Sequence, residues 1–180
     1  DIYGRNLWGC PTDSNGDFAW LQHMVKSMNS KTGRCAVVLP QGVLFRGGKE
    51  GEIRKQLIES DKLECVITLT GGIFYSTGVS ACILFLNNNK DARHRGKICM
   101  IDASGIYTPQ RAQNIMTKED IQKVYDLYSN YEDVIECVKI ATITDIREKD
   151  YTLAINNYIE KKEQEAVSPK EVRRQYFEAY

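Results

Sequence analysis

Residues 63–86, LECVITLTGGIFYSTGVSACILFL, decide the fold of this 180-residue chain. Two apolar runs in this stretch, Leu63–Leu69 and residues 81–86, predict β-strands. Only about ten residues lie between the runs, and three of these residues are glycines. A helical crossover between parallel strands needs a longer connection. The two strands are therefore predicted to pair as an antiparallel hairpin.

A strand–helix–strand unit is predicted just before the hairpin. Arg34–Pro40, RCAVVLP, is a continuous apolar run that is typical of a strand buried on both faces. A helix is predicted over residues 49–60, and it leads into the strand Leu63–Leu69. Residues 34–69 are thus expected to form a parallel, right-handed unit.

The flanking segments carry further signals. Residues 1–16 are rich in turn-forming residues and predict a connecting loop, which suggests that a longer protein precedes them. The other predicted elements are a helix beginning at Asp17, a strand at Lys97–Ala103, a helix from a capping box at Thr117 to about Tyr131, a strand over residues 134–143 and a last helix beginning near Pro169.

The composition excludes several classes of protein. Lys and Arg together number 24, as do Asp and Glu, so the chain carries no general basic excess of the kind found in nucleic-acid-binding tails. No apolar run has the length of a membrane span, and no signal-peptide pattern opens the chain, so a cytoplasmic location is predicted. The six cysteines form no C-x-x-C pair and there are two histidines, so reduced thiols and no metal site are expected.

Three blocks of sequence carry a resemblance to a known family. Residues 33–48 read GRCAVVLPQGVLFRGG, residues 50–57 read EGEIRKQL, and residues 74–84 read FYSTGVSACIL. These blocks closely resemble the modification subunits of type I DNA restriction–modification systems, which are adenine-N6 DNA methyltransferases. The resemblance extends to about Ile159.

The resemblance implies a fold class and a division of the chain. It implies the second half of a Rossmann-like, S-adenosylmethionine-dependent methyltransferase sheet, with parallel strands plus an antiparallel edge hairpin, and a C-terminal α/β extension. The expected segments are a loop after the catalytic motif (1–16), the C-terminal half of the methyltransferase domain (17–104), the extension (105–160) and a terminal helix (161–180).

Two motifs of the family do not occur in this sequence. The family binds S-adenosylmethionine with a glycine-rich turn, but the chain contains no G-x-G. Its catalytic loop contains two adjacent prolines, but none of the four prolines here are adjacent. We therefore expect both motifs upstream in the parent protein, no catalytic residue in these 180 residues, and no methyl donor bound to the chain alone.

The chemistry of the family assigns a substrate-binding role to one loop. An adenine amine inside a duplex is out of reach, so the base must be flipped out and held. Stacking on an aromatic ring is worth about 1–3 kcal/mol per base. The family places an aromatic residue just before the hairpin strand, where this chain has Phe74 and Tyr75. The resemblance implies that one ring, Phe74 first, holds the adenine; the alternative is that one ring covers the core.

A second loop is a candidate DNA contact. Arg46, Gly47 and Gly48 follow a strand at its carboxyl end, where α/β sheets bind ligands. The guanidinium and backbone amides there could reach a DNA phosphate. Equally, the glycines could serve only to allow positive φ, while Arg46 pairs with a nearby glutamate. The basic turn over residues 90–97 is more typical of a solvated surface.

The resemblance also implies partners. These are DNA, the specificity subunit and the restriction subunit of a type I complex, with no membrane. The alternative function is a non-catalytic module that binds DNA or the specificity subunit. The predicted helix in residues 161–180 either packs on the body of the protein or contacts the specificity subunit.

Overall fold

A five-stranded mixed sheet lies at the centre of the structure, a computed structural model that describes residues 2–160. The helices are α1 (Asp17–Ser27), α2 (Gly48–Glu59), α3 (Lys118–Asn130) and α4 (Ile143–Glu148). The main strands are β1 (Arg34–Pro40), β2 (Leu63–Leu69), β3 (Ala81–Asn87), β4 (Lys97–Ala103) and β7 (Val138–Thr142). Two short strands, β5 (Thr108–Pro109) and β6 (Asn114–Ile115), form a separate hairpin.

The position of β3 both confirms and corrects the predicted topology. β2 and β3 pair antiparallel, as the short connection predicted. However, β3 is not an edge strand, because it also pairs antiparallel with β1, giving the order β1-β3-β2-β4-β7. β1 and β2 therefore run in the same direction but are not neighbours. The common direction predicted for residues 34–40 and 63–69 is confirmed. The prediction that the hairpin lies at the edge of the sheet was wrong, because the α2 crossover leaves room between β1 and β2 for β3, which comes later in the chain.

Strand β1 is less buried than its sequence predicted. It pairs only with β3 among the strands described in residues 2–160, so it lies at the edge of the sheet. Val37 faces a covered side and is 9% exposed, whereas its neighbour Val38 is 49% exposed on the other side. The apolar run is thus buried on one face only, although the sequence predicted burial on both.

The two faces of the sheet carry separate hydrophobic cores. Alternate residues of β2 and β3, such as Val66 and Leu84, pack with α1, α2 and α4 on one face. The intervening residues, such as Ile67, pack with α3 on the other. Period-two alternation distributes these side chains between the faces.

The C-terminal half departs from the predictions in detail. The capping box at Thr117 is confirmed: the Thr117 side chain accepts from the Asp120 amide, and the Asp120 carboxylate accepts from the Thr117 amide. The strand predicted over residues 134–143 is shorter, because β7 ends at a second capping box at Thr142 that opens α4. The predicted helix in residues 161–180 lies outside the described residues. Within residues 2–160, no helix is long and apolar enough to cross a membrane.

The strand directions define two further edges of the sheet, which lie at the two ends of the strands and not along an outermost strand. β1, β2 and β4 all run the same way, so they end at one edge, which we call the carboxyl edge. The loops after β1, after β2 and after β4 all leave from it. The turn between β3 and β4, which contains the basic residues 90–97, lies at the opposite edge.

Candidate functional site

The loop between β2 and β3 is anchored at the carboxyl edge by Gln41. The Gln41 side-chain amide donates to the carbonyls of Leu69 and Ala81, at 3.3 Å and 3.4 Å, and its backbone amide donates to the Ser80 carbonyl at 3.1 Å. Leu69 is the last residue of β2 and Ala81 the first of β3. The end of β1 therefore fixes both ends of the loop over residues 70–80.

Glycines make the neck of this loop narrow. A Cβ on Gly71 would lie 2.6 Å from the Gly78 carbonyl oxygen, so a side chain there would force the two sides of the loop apart. Gly72 has a φ of +72°, which favours glycine. The tip of the loop, between Gly72 and Gly78, carries Phe74 and Tyr75.

The structure exposes both predicted substrate-binding rings. Phe74 is 42% exposed and Tyr75 is 84% exposed, and neither packs in the two hydrophobic cores of the described residues. Phe74 lies between two clefts. One is an apolar cleft of about 360 Å³ that also contains Val38 and Val79. The exposure of Phe74 and Tyr75 is compatible with stacking on a flipped adenine, and that role stays a prediction.

We call the loop over residues 70–80 the aromatic loop. The second cleft lies between this loop and the β5–β6 hairpin, and we call it the hairpin cleft. It has a volume of about 360 Å³. Asn114 of β6 joins its two walls, since its backbone amide donates to the Gly72 carbonyl at 2.9 Å and its side chain donates to the Gly71 carbonyl at 2.8 Å. The lining residues are Gly72, Phe74, Tyr75, Ser76, Thr77, Gln110, Arg111, Ala112, Gln113 and Asn114.

The loop after β1 places Arg46 between two helices. Its guanidinium donates to Asp17 of α1 and to Glu50 of α2, each at 2.5 Å. Burial lowers the pKa of Arg46, but the two carboxylates outweigh burial and raise the pKa above its ordinary value. The structure thus shows the pairing with a local glutamate that the sequence offered as the alternative. A DNA contact by Arg46 stays a prediction.

The two glycines beside Arg46 differ in backbone conformation. Gly48 has a φ of +62°, in the left-handed region, so it fits the turn that begins α2. Gly47 has a φ of −88°, and a Cβ there would meet nothing within 4 Å. Only Gly48 therefore has a conformational reason to be glycine, and contact of either residue with DNA also stays a prediction.

A polar cleft at the same edge was missed by the sequence analysis. It lies between the loops after β1 and β2 and the end of β4, has a volume of about 280 Å³, and contains Gln41, Thr68 and Asp102. The Asp102 carboxylate accepts from the Thr68 hydroxyl at 3.2 Å and from the Ser104 amide at 3.0 Å. An aspartate that follows the apolar run 98–101 of strand β4 is the signal that could have indicated this cleft.

Charged residues at the opposite edge contact other residues of the same protein. His94 Nδ1 lies 2.9 Å from the buried Glu64 carboxylate, and its ring stacks on Tyr131 with centroids 3.7 Å apart. Lys90 is buried and donates to Asp61 at 2.6 Å; burial, the dominant influence, lowers its pKa. Some residues of the basic turn therefore contact the rest of the protein, so the turn is not only a solvated surface.

Comparison with known proteins identifies the family. The model of the N-6 DNA Methylase family matches residues 3–166, so the chain belongs to that family. It is 36% identical over 154 residues to the type I restriction enzyme MjaVII methylase subunit of Methanocaldococcus jannaschii, covering 84% of this chain and 26% of that subunit. It is 37% identical over 169 residues to the HindI methylase subunit of Haemophilus influenzae, covering 89% of this chain and 38% of that subunit.

Solved structures agree with this assignment. The methyltransferase subunit of a type I restriction–modification system from Streptococcus thermophilus superposes with a TM-score of 0.81 at 36% identity, over 87% of this chain and 33% of that subunit. The EcoKI M protein shares the fold, with a TM-score of 0.63 at 22% identity. The predicted resemblance to type I modification subunits is confirmed, and the chain spans well under half the length of these relatives.

Proposed function

We propose that this chain forms the substrate-holding side of an enzyme that transfers a methyl group from S-adenosylmethionine to adenine N6 in DNA. The parent protein would act in the cytoplasm, in a type I complex with a specificity subunit and a restriction subunit. The observation that carries the proposal is the exposed pair Phe74 and Tyr75 on a glycine-necked loop at the carboxyl edge.

The chemistry of the reaction requires such a surface. A base inside a duplex is stacked on both sides, so a flipped adenine must find an equivalent apolar contact outside. Phe74 and Tyr75 are adjacent and exposed, and burial of an aromatic ring against a ligand is favourable because it removes a large apolar area from water. The anchoring of the loop by Gln41 and Asn114 holds the rings in place before the base arrives, which lowers the entropy lost on binding.

The sheet supports a Rossmann-like methyltransferase fold for the parent. A reversed strand, β3, lies between two strands of common direction, and β1 has an unpaired edge among the strands of residues 2–160. Further strands of the parent would pair with that edge, and Val38 beside it would then be covered. None of the loops at the carboxyl edge contains the G-x-G turn that suits the donor's binding site, so we place the S-adenosylmethionine site outside these residues.

Substitution of the two rings in the full-length parent tests the proposal. Phe74→Ala is expected to lower adenine methylation by roughly five- to 150-fold, the equivalent of one stacking contact of about 1–3 kcal/mol. Tyr75→Ala shows whether the neighbouring ring shares the role. Donor affinity, measured by calorimetry, should stay unchanged, because the rings hold the base and not the donor.

Val79→Ala is the matched control, since Val79 is an exposed apolar residue on the same loop. It should methylate nearly as fast as the wild type. If neither ring substitution slows methylation, or if all three slow it equally, the rings do not hold the adenine. If the full-length wild type binds DNA but transfers no methyl group, the alternative of a non-catalytic module is correct.

A further inference from the structure

Arg111 differs from Arg46, the arginine that the sequence offered as a DNA contact at the carboxyl edge. It is exposed at the tip of the β5–β6 hairpin and is the only charged residue that lines the hairpin cleft. It forms no ion pair with any residue in the range 2–160, whereas Arg46 at the same edge binds two carboxylates. The cleft therefore presents one positive charge that no carboxylate in its lining neutralises.

The hairpin that carries Arg111 is fixed relative to the aromatic loop. Asn114, three residues further on, binds the carbonyls of Gly71 and Gly72. On the other strand, the Thr108 hydroxyl donates to Asp120 at 3.2 Å, which ties the hairpin to the beginning of α3. Arg111 and the exposed Tyr75 thus face one cleft from opposite walls, and neither wall can move far without breaking these bonds.

A flipped nucleotide has chemistry that fits both walls. It rotates about its own backbone, so its phosphates stay beside the mouth of the pocket that takes the base. Arginine binds a phosphate through two parallel N–H donors and keeps its charge at any physiological pH. The side of the cleft that carries Tyr75 suits a base, and the side that carries Arg111 suits the phosphodiester attached to that base.

We propose that Arg111 binds a DNA phosphate next to the flipped adenine, so that the hairpin cleft holds the backbone while the aromatic loop holds the base. This inference rests on the proposed function. It adds a backbone contact contributed by the segment after β4, which the sequence analysis did not connect with DNA. A phosphate contact carries no sequence information, so Arg111 would strengthen binding to all DNA alike.

The test compares arginine variants at the two edges of the sheet in the full-length protein, assembled with its partner subunits. Arg111→Gln is expected to weaken binding of a cognate and an unrelated duplex by the same factor, roughly five- to 30-fold. The slope of log affinity against log salt should become shallower by about 0.9, the value for one lost phosphate contact. Arg111→Lys should keep the wild-type slope because it keeps the charge.

Arg95→Gln is the matched control, because Arg95 is also exposed but lies at the opposite edge, where it donates to the Lys90 carbonyl. It should leave the affinity and the slope unchanged. An unchanged slope in Arg111→Gln overturns the inference. So does a loss of subunit assembly, measured by mass, with the DNA slope intact, because Arg111 would then bind an acidic protein surface.

Methyl transfer is measured on the same samples, which separates the two proposals. At saturating DNA, Arg111→Gln should keep a kcat near that of the wild type and show a raised KM. If the wild type transfers no methyl group but its DNA slope depends on Arg111, the proposed function fails and the phosphate contact stands. If the wild type methylates adenine and Arg111→Gln binds DNA normally, the phosphate contact alone fails.

Discussion

Several polar and aromatic side chains are wholly or partly buried and hydrogen-bonded to one another at one edge of the sheet, and others are exposed at the other edge. At the opposite edge, the buried Glu64 carboxylate accepts from Asn87 at 2.7 Å and from Tyr128 at 3.2 Å and also contacts His94. At the carboxyl edge, Tyr75 and Arg111 project into a cleft with their hydrogen-bonding and stacking capacity unused by the described residues.

The difference shows what distinguishes a binding surface from a charged surface. The basic residues of the turn over 90–97 outnumber those of the hairpin cleft, yet Lys90 donates to Asp61, and Arg93 and Arg95 donate to backbone carbonyls. A polar group that is already satisfied gains little from a ligand, because binding would only exchange one hydrogen bond for another. The edge with fewer charges is therefore the better candidate interface.

The largest expected effect on stability is at Glu64. Glu64→Ala leaves Asn87, His94 and Tyr128 around a buried vacancy, and we expect the free energy of unfolding in urea to fall by about 3–5 kcal/mol. Tyr75→Ala, at the carboxyl edge, should leave the unfolding free energy almost unchanged because the ring is exposed. Equal losses in the two variants would contradict the contrast between the edges.

Arg46 sharpens the comparison, because it lies at the carboxyl edge but is paired. Arg46→Ala removes the only side chain that is hydrogen-bonded to the Glu50 carboxylate among the described residues. Glu50 is buried, and its other carboxylate oxygen has no hydrogen-bond partner there. The unfolding free energy should fall by about 2 kcal/mol. Arg46→Lys, which cannot bridge α1 and α2 with a planar fork, should lose less. A stable Arg46→Ala protein with weakened DNA binding would instead support the predicted DNA contact.

The smallest expected effect concerns the exposed ion pair between Glu59 and Arg147. The hydrogen bonds from Arg147 and then Tyr151 lower the pKa of Glu59 to about 2. Because this pKa is depressed in the folded state, the pair stabilises the protein above the ordinary glutamate pKa, and the contribution is lost as the pH falls toward 2. Arg147→Ala should return the Glu59 pKa toward 4.5, which a carboxyl NMR titration would measure; an unmoved pKa would show that Arg147 is not the cause.

Local signals in the sequence predicted several elements of this structure. Features that depend on pairing between distant residues were not predicted. The β2–β3 hairpin and the capping box at Thr117 depend on residues close together in the chain, and both were predicted. The insertion of β3 beside β1 depends on pairs such as Pro40 with Ala81, which no local pattern indicates. Likewise, Phe74 followed from the family resemblance, but the hairpin cleft arises from the bonds of Asn114 to Gly71 and Gly72, which are remote in sequence.

The place of β3 also sets the order in which the sheet can form during translation. β1 has no other partner among the described strands, so the ribosome must add the residues from 41 to 87 before β1 is fully paired. At about 5–20 residues per second, this takes roughly 2–10 s. During that interval the edge of β1 that β3 later occupies is unpaired, and α1 and α2 can cover only one face of β1. The nascent chain therefore exposes an apolar strand edge, which favours chaperone binding and aggregation, between the synthesis of β1 and the arrival of β3.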